Sequence, residues 1–283
     1  MTEVIRIEPR AASAWSVLAT CYRELGETEK ALQIAIMGAH LRHDPEEWHA
    51  LARQSRETGH VQQALYCLSK AVRLDPTNVD AIWDRASLAK EVGDLPAARN
   101  AYLAMLRHFP HDTVVLTELR HTLIEMGDLK LCASLYQDAF DHYTNVFPDG
   151  KISVTTESDV IDPALAPQIK TTENAFSSFS NFTLMELLVL ADIYTSLGWY
   201  EKSIKTIRAG CRWLQGRFKQ RYWDACTDDR EYDSDDFNRN DNEEANGPFV
   251  KPGYYPLDVN ARHRLAIARL KFGDVDEGRV GTS

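Results

Sequence analysis

Four glycines, Gly26, Gly59, Gly93 and Gly127, stand 33, 34 and 34 residues apart. The same step recurs at other places in that stretch. The small residues five positions after each glycine are Ala31, Ala64, Ala98 and Cys132. The aromatic or apolar residues eleven before each are Trp15, Trp48, Ile82 and Leu116, and Pro76 and Pro110 fall seventeen after Gly59 and Gly93. A period of this length makes one supersecondary unit the building block, because a lone unit that small cannot bury its apolar face and must stack on its neighbours. The chain is therefore expected to form a stacked array rather than a single globular core.

Each residue type in the register has a mechanical task. With Trp15 at position 4, Leu18, Ala19 and Tyr22 fall at positions 7, 8 and 11, which places them on one face of a first helix. The glycine at position 15 can take the left-handed conformation that stops this helix. Ala31 and Gly38 allow a second helix to approach closely, and a proline at position 32 blocks its continuation. The second unit repeats the pattern with Trp48, Leu51, Ala52, Gly59, Ala64, Leu68, Ala71 and Pro76, and the third with Ile82, Ala86, Gly93, Ala98, Tyr102, Met105 and Pro110. Period and residue types are those of the tetratricopeptide repeat, a helix-turn-helix unit of about 34 residues. The expected fold is all-α: a tetratricopeptide-repeat superhelix, a right-handed solenoid of helix-turn-helix units interrupted by two irregular linkers.

The register divides the chain. Residues 1–143 read as the tail of a preceding unit plus four units, because Pro9 stands six before Trp15 and makes Val4 to Pro9 the end of an earlier second helix. This start, and the stop soon after Gly273, predict a segment cut from a longer protein. Residues 144–183, with Pro148, Pro163 and Pro167 in a Ser/Thr-rich stretch, read as a linker. Residues 184–223 read as a further unit, with Leu187, Leu190, Ala191, Tyr194 and Gly198 at positions 4, 7, 8, 11 and 15. Its second helix starts near Tyr200, carries the apolar stripe Ile204, Ile207, Cys211, Leu214 and Phe218, and is expected to run past its normal stop as an extended basic helix. Residues 224–256 read as a disordered acidic linker, and 257–283 as the start of a truncated last unit with Leu265, Ala266 and Gly273 in register.

Composition narrows the function classes. The 32 basic and 42 acidic residues give a net charge of −10, so the average field repels phosphate. The longest apolar run, Leu187 to Ala191, is five residues, against the roughly 20 that a membrane span needs. No membrane partner is expected, and the charges within Met1 to Pro9 argue against a cleaved signal. Five cysteines, with no C-x-x-C pair, read as free thiols in a reducing compartment.

The charge is unevenly placed. Seven basic residues and no acidic one lie between 202 and 221, and Lys202, Lys205, Arg208, Arg212 and Lys219 share one helical face. Ten acids against Arg230 and Arg239 follow in 224–246. Two readings stand: a solvated helix face beside a disordered acidic loop, or an acidic block that folds against the basic face or competes there with phosphate. Without that block the chain has 30 basic and 32 acidic residues, a scaffold near neutrality.

A family resemblance enters at these residues. Tetratricopeptide units joined to Arg212-Trp213-Leu214-Gln215-Gly216-Arg217, then Tyr222-Trp223-Asp224, then Asp228-Asp229-Arg230-Glu231-Tyr232-Asp233, resemble the fungal-type tetratricopeptide subunit of RNA polymerase III transcription factor IIIC. The likeness extends to Phe272-Gly273-Asp274. It implies a non-enzymatic nuclear scaffold in the factor that recognises internal promoters of transfer-RNA genes, bridging to initiation factor IIIB and recruiting it. The implied partners are other factor IIIC subunits and factor IIIB subunits, with DNA contact at most weak or indirect. A generic tetratricopeptide adaptor of another nuclear or cytoplasmic complex is the alternative, and a direct nucleic-acid binder using the 202–221 helix is a third reading.

In a tetratricopeptide array the groove is lined mainly by first-helix positions 2, 5, 9, 12 and 13. Position 5 gives Ser16, His49, Trp83 and Thr117; position 9 gives Thr20, Arg53, Ser87 and His121; position 12 gives Arg23, Arg56, Lys90 and Ile124. Arg23, Arg56 and Lys90 could cradle an acidic peptide. Alternatively they could pair with the position-13 acids Glu24, Glu57, Glu91 and Glu125. Trp83 is expected either to expose a hot-spot aromatic in the groove or to pack on a neighbouring helix. Position 9 holds no Asn, so the asparagine-and-lysine clamp for a chaperone's carboxylate tail is not reproduced. No catalytic motif is present. The pairs His40/His43 and His108/His111 lack a third ligand in sequence, so no metal or cofactor is expected.

Overall fold

The computed structural model describes residues 6–147, 182–218 and 257–274. The start of the expected Val4 to Pro9 helix, most of the first linker and the whole acidic block 224–246 lie outside the described residues. These residues form eleven α-helices from Ala12 onward and no strand. The chain divides into two compact units, Met1–Gly127 and Asp128–Ser283.

The first unit contains α1 (Ala12–Glu24), α2 (Thr28–Arg42), α3 (Pro45–Glu57), α4 (Val61–Leu74), α5 (Val79–Val92), α6 (Leu95–His108) and α7 (Thr113–Met126). They are three first-helix/second-helix hairpins followed by the first helix of the fourth repeat. The position-15 glycines Gly26, Gly59, Gly93 and Gly127 all have positive φ, between 75° and 85°, so each first helix ends by the left-handed turn that the register requires. The opposite ends carry a mark that the sequence reading passed over. Asp44, Asn78 and Asp112, 34 residues apart, accept backbone N–H bonds from Glu46, Ala81 and Val114 respectively and so cap α3, α5 and α7.

The core of this unit is built from the register positions. Ala19, Leu32, Ala39, Trp48, Leu51, Ala52, Ala64, Leu68, Ala71 and Leu88 form one buried cluster. Gly38 lets α2 close on α1, since a Cβ there would stand 3.0 Å from Trp15 Cβ. The short first interval has a local cause. Only His43 and Asp44 separate α2 from α3, whereas four residues separate α4 from α5 and α6 from α7. His43, where the later units place proline, makes the tight turn with a φ of 56°.

The second unit contains α8 (Leu129–Val146), α9 (Leu184–Ser196), α10 (Tyr200–Leu214) and α11 (Val259–Phe272). Helix α9 opens on a capping box: the Thr183 hydroxyl accepts from Met185 N at 3.2 Å, and the Glu186 carboxylate accepts from Thr183 N at 2.7 Å. It packs on α8 and α10, and α11 packs on both α9 and α10. Phe147 and Phe182, which flank residues 148–181, meet at one place. The Trp213 indole donates to Phe147 O at 2.6 Å, and its ring lies 6.4 Å from that of Phe182. Phe140 completes the cluster at 5.8 Å from Phe182 and 6.1 Å from Trp213.

One expectation is corrected here. Helix α10 does not run past its stop; it ends at Leu214, in register with the prolines of the earlier units. Gly216 takes a φ of 73°, and the amides of Gly216 and Arg217 turn back to Trp213 O and Arg212 O. A left-handed glycine here does what proline does elsewhere, and Phe218 lies beyond the apolar stripe. Lys219 lies outside the described residues.

Candidate partner-binding groove

Within the first unit the position-12 cations are used unequally. Arg56 donates to Glu91 of the next first helix at 2.6 Å, and Lys90 donates to Glu118 at 2.8 Å. His49 is buried and its Nε2 stands 2.8 Å from the Asp84 carboxylate, which Arg53 also approaches at 3.8 Å. Charges of consecutive first helices thus pair across the seams α3/α5 and α5/α7. The acids involved are at positions 6 and 13, so the expected pairing with position 13 holds only for Arg56. Arg23 differs: it makes no ion pair among the described residues. At the place where Asp84 and Glu118 stand in later repeats, the second repeat has Ala50.

The remaining expected groove residues make local contacts. The Ser16 hydroxyl donates to Ala12 O at 3.3 Å and accepts from the Arg42 guanidinium. Thr20 donates to Ser16 O at 3.1 Å and is exposed, and Thr117 donates to Thr113 O at 2.8 Å. His121 is exposed beside Arg120, and Ser87 is half-buried. Trp83 is not an exposed aromatic. It is half-buried, with its ring edge-on to Tyr102 of α6 at 5.8 Å, so the packing alternative is the one the structure supports. Sequence alone could not separate the two, because Tyr102 lies across the hairpin.

Arg42, absent from the sequence reading, is central to the first seam. Its Nε donates to Glu47 Oε2 at 2.6 Å, a second nitrogen reaches Glu47 Oε1, and a third contact goes to Ala12 O at 3.2 Å. The hydrogen bond to Glu47 holds this guanidinium charged. Around these residues lies a pocket of about 270 Å³, lined by Ser16, Thr20 and Arg23 of α1 and by Ala50 and Gln54 of α3, with Arg42 and Glu47 in its wall.

On the basic face of α10 Lys202 and Lys205 are exposed. Lys205 pairs with Glu201 at 2.7 Å, and Lys202 lies over the rings of Tyr194 and Trp199 at 4.6 and 5.5 Å. Arg208 and Arg212 are half-buried and engaged with other groups. Nothing else suggests chemistry. Among the described residues no three His, Cys, Asp or Glu side chains converge on a metal site. Burial pushes the Cys67 thiol up to about 11, which leaves it protonated at neutral pH. None of the described helices is long and apolar enough to cross a membrane.

Comparison with known proteins agrees with this geometry. A tetratricopeptide repeat family profile matches residues 187–213, the α9/α10 hairpin. The chain is 29% identical to transcription factor tau subunit sfc4 of Schizosaccharomyces pombe over 98% of its own length and 26% of that protein. It is also 31% identical to general transcription factor 3C polypeptide 3 of Homo sapiens over 72% of its length and 20% of that protein. This chain is a homologue of transcription factor IIIC subunits. It spans about a quarter of the length of these factor IIIC relatives. In the solved structure "Naa15/Naa10 bound to HypK-THB", one chain superposes on 99% of this factor IIIC homologue and 32% of its own length, with a TM-score of 0.54 at 15% identity. That likeness shows the fold alone, a tetratricopeptide solenoid.

Proposed function

We propose that this chain is a non-enzymatic scaffold segment of nuclear transcription factor IIIC, holding other subunits of that factor and bridging to initiation factor IIIB, which it recruits for RNA polymerase III. The alignment with factor IIIC subunits along 98% of the chain carries this reading. The groove supports it, with a seam that retains a cation, Arg23, in no ion pair among the described residues. The proposed binding surface is the groove face holding Ser16, Thr20, Arg23, Arg53, Arg56, Ser87, Lys90, Thr117 and His121, with buried His49 held by Asp84 and half-buried Trp83 packed on Tyr102. DNA contact in this reading is weak or indirect, in keeping with the net charge of −10, whose average field repels phosphate.

Capture of purified factor IIIB subunits and of the other factor IIIC subunits by the immobilised chain tests the proposal. Binding of factor IIIB subunits that weakens when groove cations are removed is the expected result. Failure to bind any subunit of either factor would leave the generic adaptor. Tight DNA binding with a steep salt dependence would instead favour the nucleic-acid reading.

A further inference from the structure

The three seams between consecutive first helices in unit Met1–Gly127 are not equivalent. Across α3/α5 and α5/α7 the position-12 cation of one repeat, Arg56 or Lys90, meets an acid of the next, Glu91 or Glu118. Across α1/α3 the equivalent cation is Arg23, and the facing position 6 is Ala50. Glu57, in the register place of Glu91, does not pair with Arg23. This is the seam spanned by the 33-residue interval and the two-residue turn at His43. A pocket opens where the other seams hold ion pairs, and small side chains at Ser16, Thr20 and Ala50 leave it open.

Its lining carries two guanidinium groups, Arg23 and Arg42, against one carboxylate, Glu47. The wall carboxylate Glu47 is neutralised by two hydrogen bonds from Arg42, so it does not repel a second carboxylate. The hydroxyl protons of Ser16 and Thr20 are committed to backbone carbonyls. That leaves the Arg23 guanidinium and the Gln54 amide as donors without a partner among the described residues. At about 270 Å³ the pocket falls below the roughly 300–1,000 Å³ of a whole small-molecule site and suits one side chain.

We propose that this pocket takes the carboxylate side chain of an acidic, extended partner peptide, which forms with Arg23 the seam ion pair that repeats two and three make internally. The proposal rests on the groove being the partner surface, and it names the class of residue read at this seam. An arginine-to-carboxylate contact is charge-assisted, and because Arg23, Thr20 and Ala50 are exposed it has the strength of a surface ion pair.

The test uses a fluorescent dodecapeptide of alternating Ser and Glu and its Ser/Gln counterpart, titrated into the whole chain by anisotropy. The chain should prefer the Glu peptide. Arg23→Ala should weaken its binding roughly fivefold, the upper scale of an ion pair at an exposed site. Ala50→Glu should weaken it as much while leaving the melting temperature undiminished, because it places the missing acid inside the seam. Arg107→Ala on exposed α6 removes the same charge away from the groove and should change binding by less than about threefold, the screened long-range part only. Equal affinity for the two peptides, no binding of the Glu peptide, or equal effects of Arg23→Ala and Arg107→Ala would overturn the pocket. If Arg23→Ala still captures factor IIIB subunits as well as the unaltered chain, the pocket falls and the scaffold reading stands. If the unaltered chain captures none, the scaffold reading falls whatever the peptides do.

Discussion

Units 1–127 and 128–283 close the seam between consecutive first helices at the same repeat positions but with opposite charge order. In the first, position-9 Arg53 approaches position-6 Asp84 at 3.8 Å. In the second, position-9 Asp192 accepts from position-6 Arg264 at 2.9 Å. The geometry of stacking decides which positions meet, and the sequence chooses the sign. A repeat carrying an acid at position 6 therefore suits a predecessor like Arg53 and repels one like Asp192. Such a sign order disfavours stacking out of register. Both units pack fully buried alanines, such as Ala64 and Ala98 in the first and Ala139 and Ala261 in the second, and each has an aromatic cluster, around Trp48 and around Trp213.

The largest expected effect separates a buried tryptophan of the second unit from a half-buried one of the first. Trp213 is fully buried and its indole holds Phe147 O, so Trp213→Ala should cost about 3–5 kcal/mol. Trp83 of the first unit is half-buried with one ring neighbour described, Tyr102. Trp83→Ala should cost about 1–2 kcal/mol. Denaturant unfolding, with hydrogen exchange to assign the loss to 128–283 or 1–127, checks both. Equal costs would mean that burial does not set the difference between Trp213 and Trp83.

Two glycines at register position 27 sharpen it. A Cβ on Gly210 would stand 2.2 and 2.4 Å from the methyl carbons of fully buried Leu187, whereas on Gly38 it would stand 3.0 Å from Cβ of half-buried Trp15. Overpacking costs about 1–3 kcal/mol, and replacing a helical glycine by alanine returns about 1 kcal/mol. Gly210→Ala should therefore destabilise by up to about 2 kcal/mol, and Gly38→Ala should stay within about 1 kcal/mol of neutral. A neutral Gly210→Ala would mean that Leu187 has an alternative rotamer to occupy.

Much of this architecture is legible in the sequence because the period acts on residue types with a single mechanical use. Glycine at position 15 and alanine at position 20 are read directly, and so are the N-caps Asp44, Asn78 and Asp112 once their spacing is noticed. The end of α10 was misread because Gln215 stands where proline was expected, although Gly216 already signals the turn. The site is less legible. Whether Lys90 chooses Glu118 or a position-13 acid depends on side-chain reach across a seam. The left-handed turn at His43 carries no mark of its own, since neither glycine nor asparagine makes it. Arg42 became visible only when α1, α2 and α3 were brought together.

The phenols compare the units in a different way. Burial pushes both Tyr102 and Tyr194 up to about 12. Each is therefore held neutral in the folded chain above the ordinary value of about 10. Their stabilising contribution is complete below pH 10 and is lost as the pH rises through 12, because the unfolded chain ionises first. Tyr194 also donates to Gln137 at 2.6 Å, and Tyr102 makes no hydroxyl bond among the described residues. Tyr194→Phe should thus cost about 1 kcal/mol at neutral pH and Tyr102→Phe much less. Absorbance titration should show each variant losing one late-ionising phenol. A phenol ionising near 10 in either position would contradict its burial.

The smallest expected effect bears on the opening contrast. Arg56 and Glu91 are each about half exposed, at 48% and 51%, as is Asp192 at 51%, so each pair should couple by no more than about 1 kcal/mol and fade with salt. Arg264→Glu brings like charges together at the Asp192 seam and should lower stability slightly. Adding Asp192→Arg should recover it, giving the second unit the sign order of the first. A double-mutant cycle at low and high salt measures this. Recovery means that charge order is free to vary as long as neighbours match, so its role is to select the neighbour. If the single reversal costs nothing at low salt, the seam charges do not guide stacking, and the unpaired Arg23 is then best explained by a partner, not by the array.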